Sequence, residues 1–434
     1  MASDSSYPRV AIIGAGPAGC TLARLLVRAA LPVTIFEGEK SLDMRSQGGT
    51  LDLHSDTGIA ALKAAGLYDD FIRQSRFDGD SIRLCDKSLR SYLNLGSSAD
   101  SWFAQGKPEI DRSDLRMLLL NSLPKETVRW GHRLTSVDPV TLTLTFEDGT
   151  LKDGFDLIVG ADGAWSKVRA ALTTTQPFYS GVGGFTAVVN HAETDVPNLS
   201  KLINRGSWFN FSDGSMVLGQ QMGDGSLYVS VWQVREEDWQ KNANYDVKDG
   251  KSVRNELCKQ YANWSPEVLE LLSAISDHGV VPRSLYMLPV DFKWSNVPGI
   301  TLLGDAAHLM TPFIGEGVNA GMKDAVDLAH AIVETSKSPD LKSLTKNITL
   351  YERRMFQRVG KVQVRTKDMM ELMLFTPGAP GTVIDKWIVR SFSDEMNSAL
   401  LLLVKTPSLH IASFRQYRRH KTLNTHDTYW GTLP

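Results

Sequence analysis

The sequence predicts an α/β fold: a parallel, nucleotide-binding sheet interrupted by a second domain on a mostly antiparallel sheet, and followed by a C-terminal helical segment. Three observations carry that prediction. Short apolar runs at 9–13, 31–36, 155–160 and 300–303 have the continuous hydrophobicity of strands buried on both faces. Between 181 and 298 the pattern changes to alternation, as in Ser226-Leu-Tyr-Val-Ser-Val-Trp232, with Gly223-Asp-Gly225 as the hairpin turn. From Leu350 to about Phe375 the composition suits one long helix, which Pro377-Gly-Ala-Pro-Gly381 breaks. The expected boundaries are 1–176 with 298–358 for a discontinuous nucleotide-binding domain, 177–297 for the second domain, and 359–434 for the C-terminal helices and tail.

The first apolar run stops at Gly14, and helical spacing resumes at Pro17. Between them Gly14, Gly16 and Gly19 fit G-x-G-x-x-G: a tight turn, close backbone approach to a pyrophosphate, and close strand-to-helix packing. The free amides at the helix start can hold phosphates. Glycines also serve simple turns. Here the next strand ends in Glu37, an acidic residue where the ribose hydroxyls are expected, which favours a Rossmann-like dinucleotide site.

Further along, 45–54 reads as a Gly-rich loop, either a hairpin turn or a means of placing Arg45 and Asp52 beside a cofactor. Residues 57–67 have helical spacing with Gly66 near the stop. Another helix starts after Pro108-Glu-Ile-Asp-Arg112, with Ser113 the expected N-cap and Arg112 just ahead of it. Strands at 128–130 and 142–146 read as a small antiparallel insertion, and Gly181-Val-Gly-Gly184 reads as a turn. The last apolar strand runs into Gly304-Asp305 and a Gly-rich helix entry, Gly315-Glu-Gly-Val-Asn319. Asp305 and His308 lack a third ligand, so no metal is expected and His308 reads as a hydrogen-bonded packing residue. Trp387, Ile388, Phe392, Met396 and Leu400 suit a further helix, and the basic stretch from Arg415 to Lys421 reads as a solvated face.

The 434 residues are 42% hydrophobic and 22% charged, with a formal net charge of -2. That is ample chain for two or three domains and gives no electrostatic reason to expect nucleic acid. Cys20, Cys85 and Cys258 match no metal spacing and suit a reducing compartment. No apolar run approaches transmembrane length, and residues 1–8 leave no room for a signal peptide, so a cytoplasmic protein is expected.

Together, the glycine fingerprint with Glu37, Gly160-Ala-Asp-Gly163 and Gly304-Asp305 resemble the class A flavoprotein monooxygenases of para-hydroxybenzoate hydroxylase type, over roughly residues 8 to 376. Gly48-Gly-Thr-Leu-Asp-Leu-His54, Pro108-Glu-Ile-Asp-Arg-Ser-Asp-Leu-Arg116, Ser166-Lys-Val-Arg169 and Gly304-Asp-Ala-Ala-His-Leu-Met310 are similar to the tetracycline-inactivating members. The resemblance implies FAD as cofactor, NADPH or NADH as reductant, and O2 as co-substrate. It implies oxygen transfer from a flavin C4a-hydroperoxide to a polycyclic aromatic or polyketide, tetracyclines being the leading candidate. It places FAD contacts at Gly14, Gly16, Ala18, Gly19, Glu37, Arg45, Asp52, Arg112, Asp162, Asp305, Gly317, Val318 and Asn319. Pro312, Phe313 and Gly315 would lie near the flavin, with no side chain strictly required for the chemistry. Substrate would meet Val188, Trp208, Tyr228, Pro312 and Phe313, and Glu316 replaces the Gln of the tetracycline-inactivating relatives. A small-molecule substrate is the expected partner and a monomer the expected state. Two other readings stay open: a hydroxylase or epoxidase of another secondary metabolite, and a non-catalytic dinucleotide-fold binding protein.

Overall fold

The computed structural model describes residues 8–41, 48–77, 79, 81–95, 108–336 and 341–392. The chain divides into two units, Met1–Val383 and Ile384–Pro434. In the first, five parallel strands lie in the order Ile300–Leu302, Leu157–Gly160, Val10–Ile13, Val33–Phe36, Val128–Arg129. Every residue of the central strand Val10–Ile13 is buried, as a sheet covered on both faces requires. Ile13 pairs with Gly160 on one side and Phe36 on the other, so Gly14, Glu37 and Ala161 emerge together at the strands' C-terminal ends. Helix Pro17–Arg28 starts there, with Gly16 as N-cap and Pro17 at a position whose amide the helix does not need.

The returning strand Ile300–Leu302 leads to helices Gly317–Ser336 and Leu341–Met370. Gly321 lets the former pack closely: a Cβ there would stand 3.1 Å from Ala18 Cβ and 3.3 Å from Gly304 Cα. The helix Leu341–Met370 ends in a π-helical turn, Glu371–Phe375, ahead of Pro377 as expected.

A second sheet has seven strands in the order Val281–Met287, Phe178–Val189, Leu227–Val234, Ser215–Gln221, Ser207–Ser212, Ile82–Cys85, Ser91–Leu95. One face packs on helices Pro197–Ile203, Gly250–Gln260 and Pro266–Ser273, burying Trp208, Val217, Val229 and Val231 with Ile203, Leu257 and Leu271. Asp249 and Ser265 cap the last two helices, accepting from the amides of Ser252 at 2.8 Å and Val268 at 3.4 Å.

Two expectations need correction. Val128–Arg129 joins the parallel sheet beside Val33–Phe36, and the antiparallel insertion is instead Leu134–Asp138, Thr143–Phe146 and Leu151–Lys152. Gly181 to Gly184 lie inside the twelve-residue strand Phe178–Val189, not in a turn. A Cβ on Gly183 would come within 2.3 Å of Trp239 Nε1, and one on Gly184 within 1.8 Å of the Val231 carbonyl oxygen. These glycines admit a covering indole and a close neighbouring strand. Gly181, at φ +84, sits within an irregularity where the pairing shifts between Tyr179 and Gly183.

The described part of the second unit is helix Ile384–Phe392, which contains Trp387 and Ile388. Met396, Leu400 and the basic stretch 415–421 lie outside the described residues, as does Arg45.

Candidate functional site

The glycine turn divides its work. Gly14 has φ +108 and a Cβ there would stand 2.4 Å from the Ala161 carbonyl oxygen; one on Gly19 would stand 2.3 Å from the Gly14 oxygen. Both are demanded by packing. Gly16 meets nothing within 4 Å, so open space lies before the helix start. Glu37 closes the turn: its carboxylate accepts the amides of Ala15 at 2.7 Å and Glu39 at 2.9 Å. A carboxylate has about four lone-pair sites, so acceptor capacity remains on both oxygens.

A second group forms around Arg112. The two-stranded ribbon of Thr50–Asp52 and Glu109–Asp111 delivers it to the first position of helix Arg112–Asn121, with Asp111 rather than Ser113 at the N-cap. The Arg112 amide donates to the Gly49 carbonyl at 3.1 Å. By area the side chains of Arg112 and Asp305 are exposed, yet burial depresses the guanidinium's pKa and raises the carboxyl's. Both statements hold if the groups line a recess that water enters but protein surrounds. Tyr228 and Asp305 partly offset the burial of Arg112, and His308 and Arg112 that of Asp305. Neither side chain has a hydrogen-bond partner among the described residues.

Behind Asp305 stands a network that sequence reasoning missed. Asp324, fully buried, accepts from the Gly304 amide at 2.9 Å and from Arg358 Nη2 at 2.6 Å, and lies 2.6 Å from His308 Nε2. Burial pushes its carboxyl up, but His308, Arg358 and the Gly304 amide outweigh that and hold it below the usual range. His308 is thus the hydrogen-bonded packing residue expected. Buried Arg169 ties two motifs together, donating to the carbonyls of Ala306 at 3.0 Å and Ala164 at 2.6 Å. The available signal for Asp324 was an acid set among Ala320, Met322 and Ala325, in an otherwise apolar helix face.

Three predicted contacts have side chains engaged with protein. The Asp162 carboxylate accepts from Ser166 Oγ at 2.6 Å and the Lys167 amide at 2.7 Å, at the start of helix Lys167–Ala170. The Asn319 carboxamide is buried, accepting the amides of His54 at 2.9 Å and Gly58 at 3.3 Å and donating to the Asp52 carbonyl at 2.8 Å. Asp52 hydrogen-bonds Glu109, and burial, with that neighbour second, pushes the Glu109 carboxyl up to about 10. What these positions leave toward the recess is backbone. A Cβ on Gly163, at φ +76, would meet nothing within 4 Å. The amides of Gly317, Val318 and Asn319 precede the first intrahelical bond, from Ala320 N to the Glu316 carbonyl at 2.9 Å. Pro312 is exposed, Phe313 half-buried, and Gly315, at φ +70, has open space beside it; Glu316 Oε1 lies 3.4 Å from His54 Nδ1.

The seven-stranded sheet supplies the opposing wall. Val188, Tyr228 and Gln220 are aligned across three strands. A Cβ on Gly48 would meet the Tyr228 ring at 2.5 Å, and the Thr50 amide donates to Gln220 Oε1 at 3.3 Å, so this face meets the loop beside Arg112. Trp208 is not on it. Its ring is fully buried in the core under the helices, and Phe209 is the neighbour on the recess face.

Among the described residues no group of three or more His, Cys, Asp and Glu could hold a metal ion, and no helix is long and apolar enough to cross a membrane. Gly16's open space, Glu37's acceptors, Arg112 and Asp305 without hydrogen-bond partners among the described residues, and the amides at Gly317 fit a dinucleotide with a long polar middle and a charge-accepting ring. Fold and site together define a dinucleotide-binding oxidoreductase.

Comparison with known proteins makes the class specific. The chain belongs to the FAD binding domain family, which it matches over residues 7–274 and 292–346. It is 30% identical to the monooxygenase asqM of Emericella nidulans, covering 84% of this chain and 93% of that protein. It is 31% identical to the monooxygenase penA of Penicillium thymicola, over 75% and 84% of the two chains. The fold is shared with Klebsiella pneumoniae HpxO complexed with FAD and uric acid: TM-score 0.70, 20% identity, 91% of this chain and 95% of that one. It is shared too with the tetracycline destructase Tet(51): TM-score 0.65, 16% identity, 93% and 99%. The protein is an FAD-dependent monooxygenase, a class that draws on NAD(P)H and O2.

Proposed function

We propose that the enzyme oxygenates an electron-rich polycyclic aromatic or polyketide-type secondary metabolite, with tetracyclines the first candidates to test. The observation that carries this reading is a recess with charged groups and free amides on one wall and Val188, Leu218 and Tyr228 on the other. Relatives named as 3-amino-4-hydroxybenzoate 2-monooxygenase and zeaxanthin epoxidase support an unsaturated substrate, and the destructase fold keeps tetracyclines in view.

When bound, FAD supplies the redox chemistry, carrying electrons from NAD(P)H to O2 so that one oxygen atom reaches the substrate. In this reading the amides of Ala18 and Gly19, at the positive end of helix Pro17–Arg28, hold the pyrophosphate, and Gly16 leaves the approach clear. Glu37 accepts the ribose hydroxyls with its remaining lone pairs, and Gly14 serves packing. Arg112 and Asp305 bind the charged and hydroxylated middle of the cofactor. The amides of Gly317, Val318 and Asn319 stabilise negative charge at the flavin's pyrimidine edge. Pro312, Phe313 and Gly315 exclude water from the reacting side, while Val188 and Tyr228 orient substrate. The stretch 177–297, with strands Ile82–Cys85 and Ser91–Leu95 that complete its sheet, thus serves the substrate, and the remaining segments before and after it the cofactor.

A holoenzyme whose NAD(P)H consumption rises with a tetracycline or an aromatic polyketide, with gain of one oxygen atom by mass, is the expected result. If a broad panel of both gives neither, the substrate reading fails while the flavoenzyme class stands.

A further inference from the structure

We propose that Arg283 is the anion-recognising residue of the substrate recess, selecting substrates that carry an ionised oxygen group: a carboxylate, phenolate or enolate. This rests on the substrate reading above and narrows it. Arg283 belongs to the edge strand Val281–Met287 and pairs with Gly184. Directly opposed residues of antiparallel strands share a face, and alternate residues of one strand do too. Gly184 therefore sets Arg283 on the face of Val188, which aligns with Tyr228 and Gln220. That is the wall turned toward Gly48 and Arg112, not the wall under the helices.

Arg283 stands on the outermost strand of the sheet. The guanidinium is exposed and makes no hydrogen bond or ion pair among the described residues. Arg283 is nevertheless close enough to Arg112 to repel its charge, whereas Asp305 and Tyr228 favour that charge. Among the described residues whose charges act on Arg112, Arg283 is a second guanidinium and Asp305 the carboxylate. Arg112 and Asp305 stand at the cofactor side; Arg283 is the cation on the sheet wall. An arginine cation with no counter-ion among the described residues is free to receive an anion, and a planar guanidinium offers a carboxylate two parallel hydrogen bonds.

The test uses the FAD-loaded enzyme titrated with salicylate and with uncharged salicylamide, binding being read from the flavin absorbance. Salicylate should bind about tenfold tighter or more. Arg283→Gln should abolish that preference by weakening salicylate alone, Arg283→Lys should restore part of it, and FAD affinity should be unchanged in both. Equal binding of the two probes, no binding of either at millimolar concentration, or a preference that survives Arg283→Gln overturns the proposal. So does a loss of FAD affinity in Arg283→Gln, which would assign the residue to the cofactor. Failure of the wider substrate reading shows separately, as the absence of any oxygenated product from the unmodified enzyme.

Discussion

Alanine at Gly14 and alanine at Gly16 should separate the two duties of the glycine turn. At Gly14 the new methyl would stand 2.4 Å from the Ala161 carbonyl oxygen and 2.8 Å from its carbon, with φ at +108. Neither neighbour can yield easily, because Ala161 is held by its amide's 2.8 Å bond to the Ile13 carbonyl. Backbone held in a sparsely populated region costs about 1–3 kcal/mol, and overpacking adds about 1–3 kcal/mol. At about 1 °C per kcal/mol for a chain of 434 residues, the melting temperature of FAD-free Gly14→Ala should fall by roughly 2–6 °C. Gly16 has φ -77 and ψ 174, open to any residue, and its methyl would meet nothing within 4 Å. FAD-free Gly16→Ala should therefore melt within about 1 °C of the unmodified protein, yet bind FAD more weakly because the methyl occupies the approach to the helix amides. Differential scanning fluorimetry of the FAD-free proteins, with FAD titration by fluorescence quenching, measures both. Equal destabilisation by the two substitutions, or unchanged FAD affinity in Gly16→Ala, would refute the division.

Asp324→Asn should destabilise the protein by about 3–5 kcal/mol at neutral pH, since it leaves His308 and Arg358 without their buried counter-charge. A depressed carboxyl contributes stability above its ordinary 3.8 and loses it as pH falls through the folded value, so urea titrations should show the deficit closing in acid. Glu109 has the opposite sign: raised from 4.5 to about 10, it penalises the folded state increasingly as pH rises between those values. Glu109→Gln should accordingly gain melting temperature over the unmodified protein from pH 5 to pH 9, and a flat difference would count against the buried proton. Trp208→Ala should lower stability by about 3–5 kcal/mol with KM for an identified substrate unmoved, whereas Tyr228→Ala should move KM more than stability; the reverse would restore Trp208 to the substrate site.

The nucleotide-binding half is readable because its signals are local. Gly14, Gly19 and Glu37 lie within one strand-turn-helix-strand unit, and Gly66, at φ +69, ends helix Gly58–Ala65 where its position suggests. Other features depend on partners distant in the chain. Trp208 and Phe209 are equally suited to line a pocket, and only the register with Gly219 and Leu218 decides which faces the helices. Gly181 to Gly184 resemble a turn until Trp239, far along the chain, is laid over them. Asp162 and Asn319 are visible as candidate ligands, but Ser166 and His54 occupy them in three dimensions.

The two-faced sheet also bears on how such an enzyme changes its diet. Val188, Leu218, Gln220 and Tyr228 alternate along their strands with core residues Ala187, Val217, Val229 and Val231. With this face meeting substrate as proposed, new substrate shapes would be explored at every second position while the intervening residues keep the hydrophobic layer intact. Adaptation and foldability are written into the same strands on alternating letters, so relatives can diverge in taste without first surrendering their core.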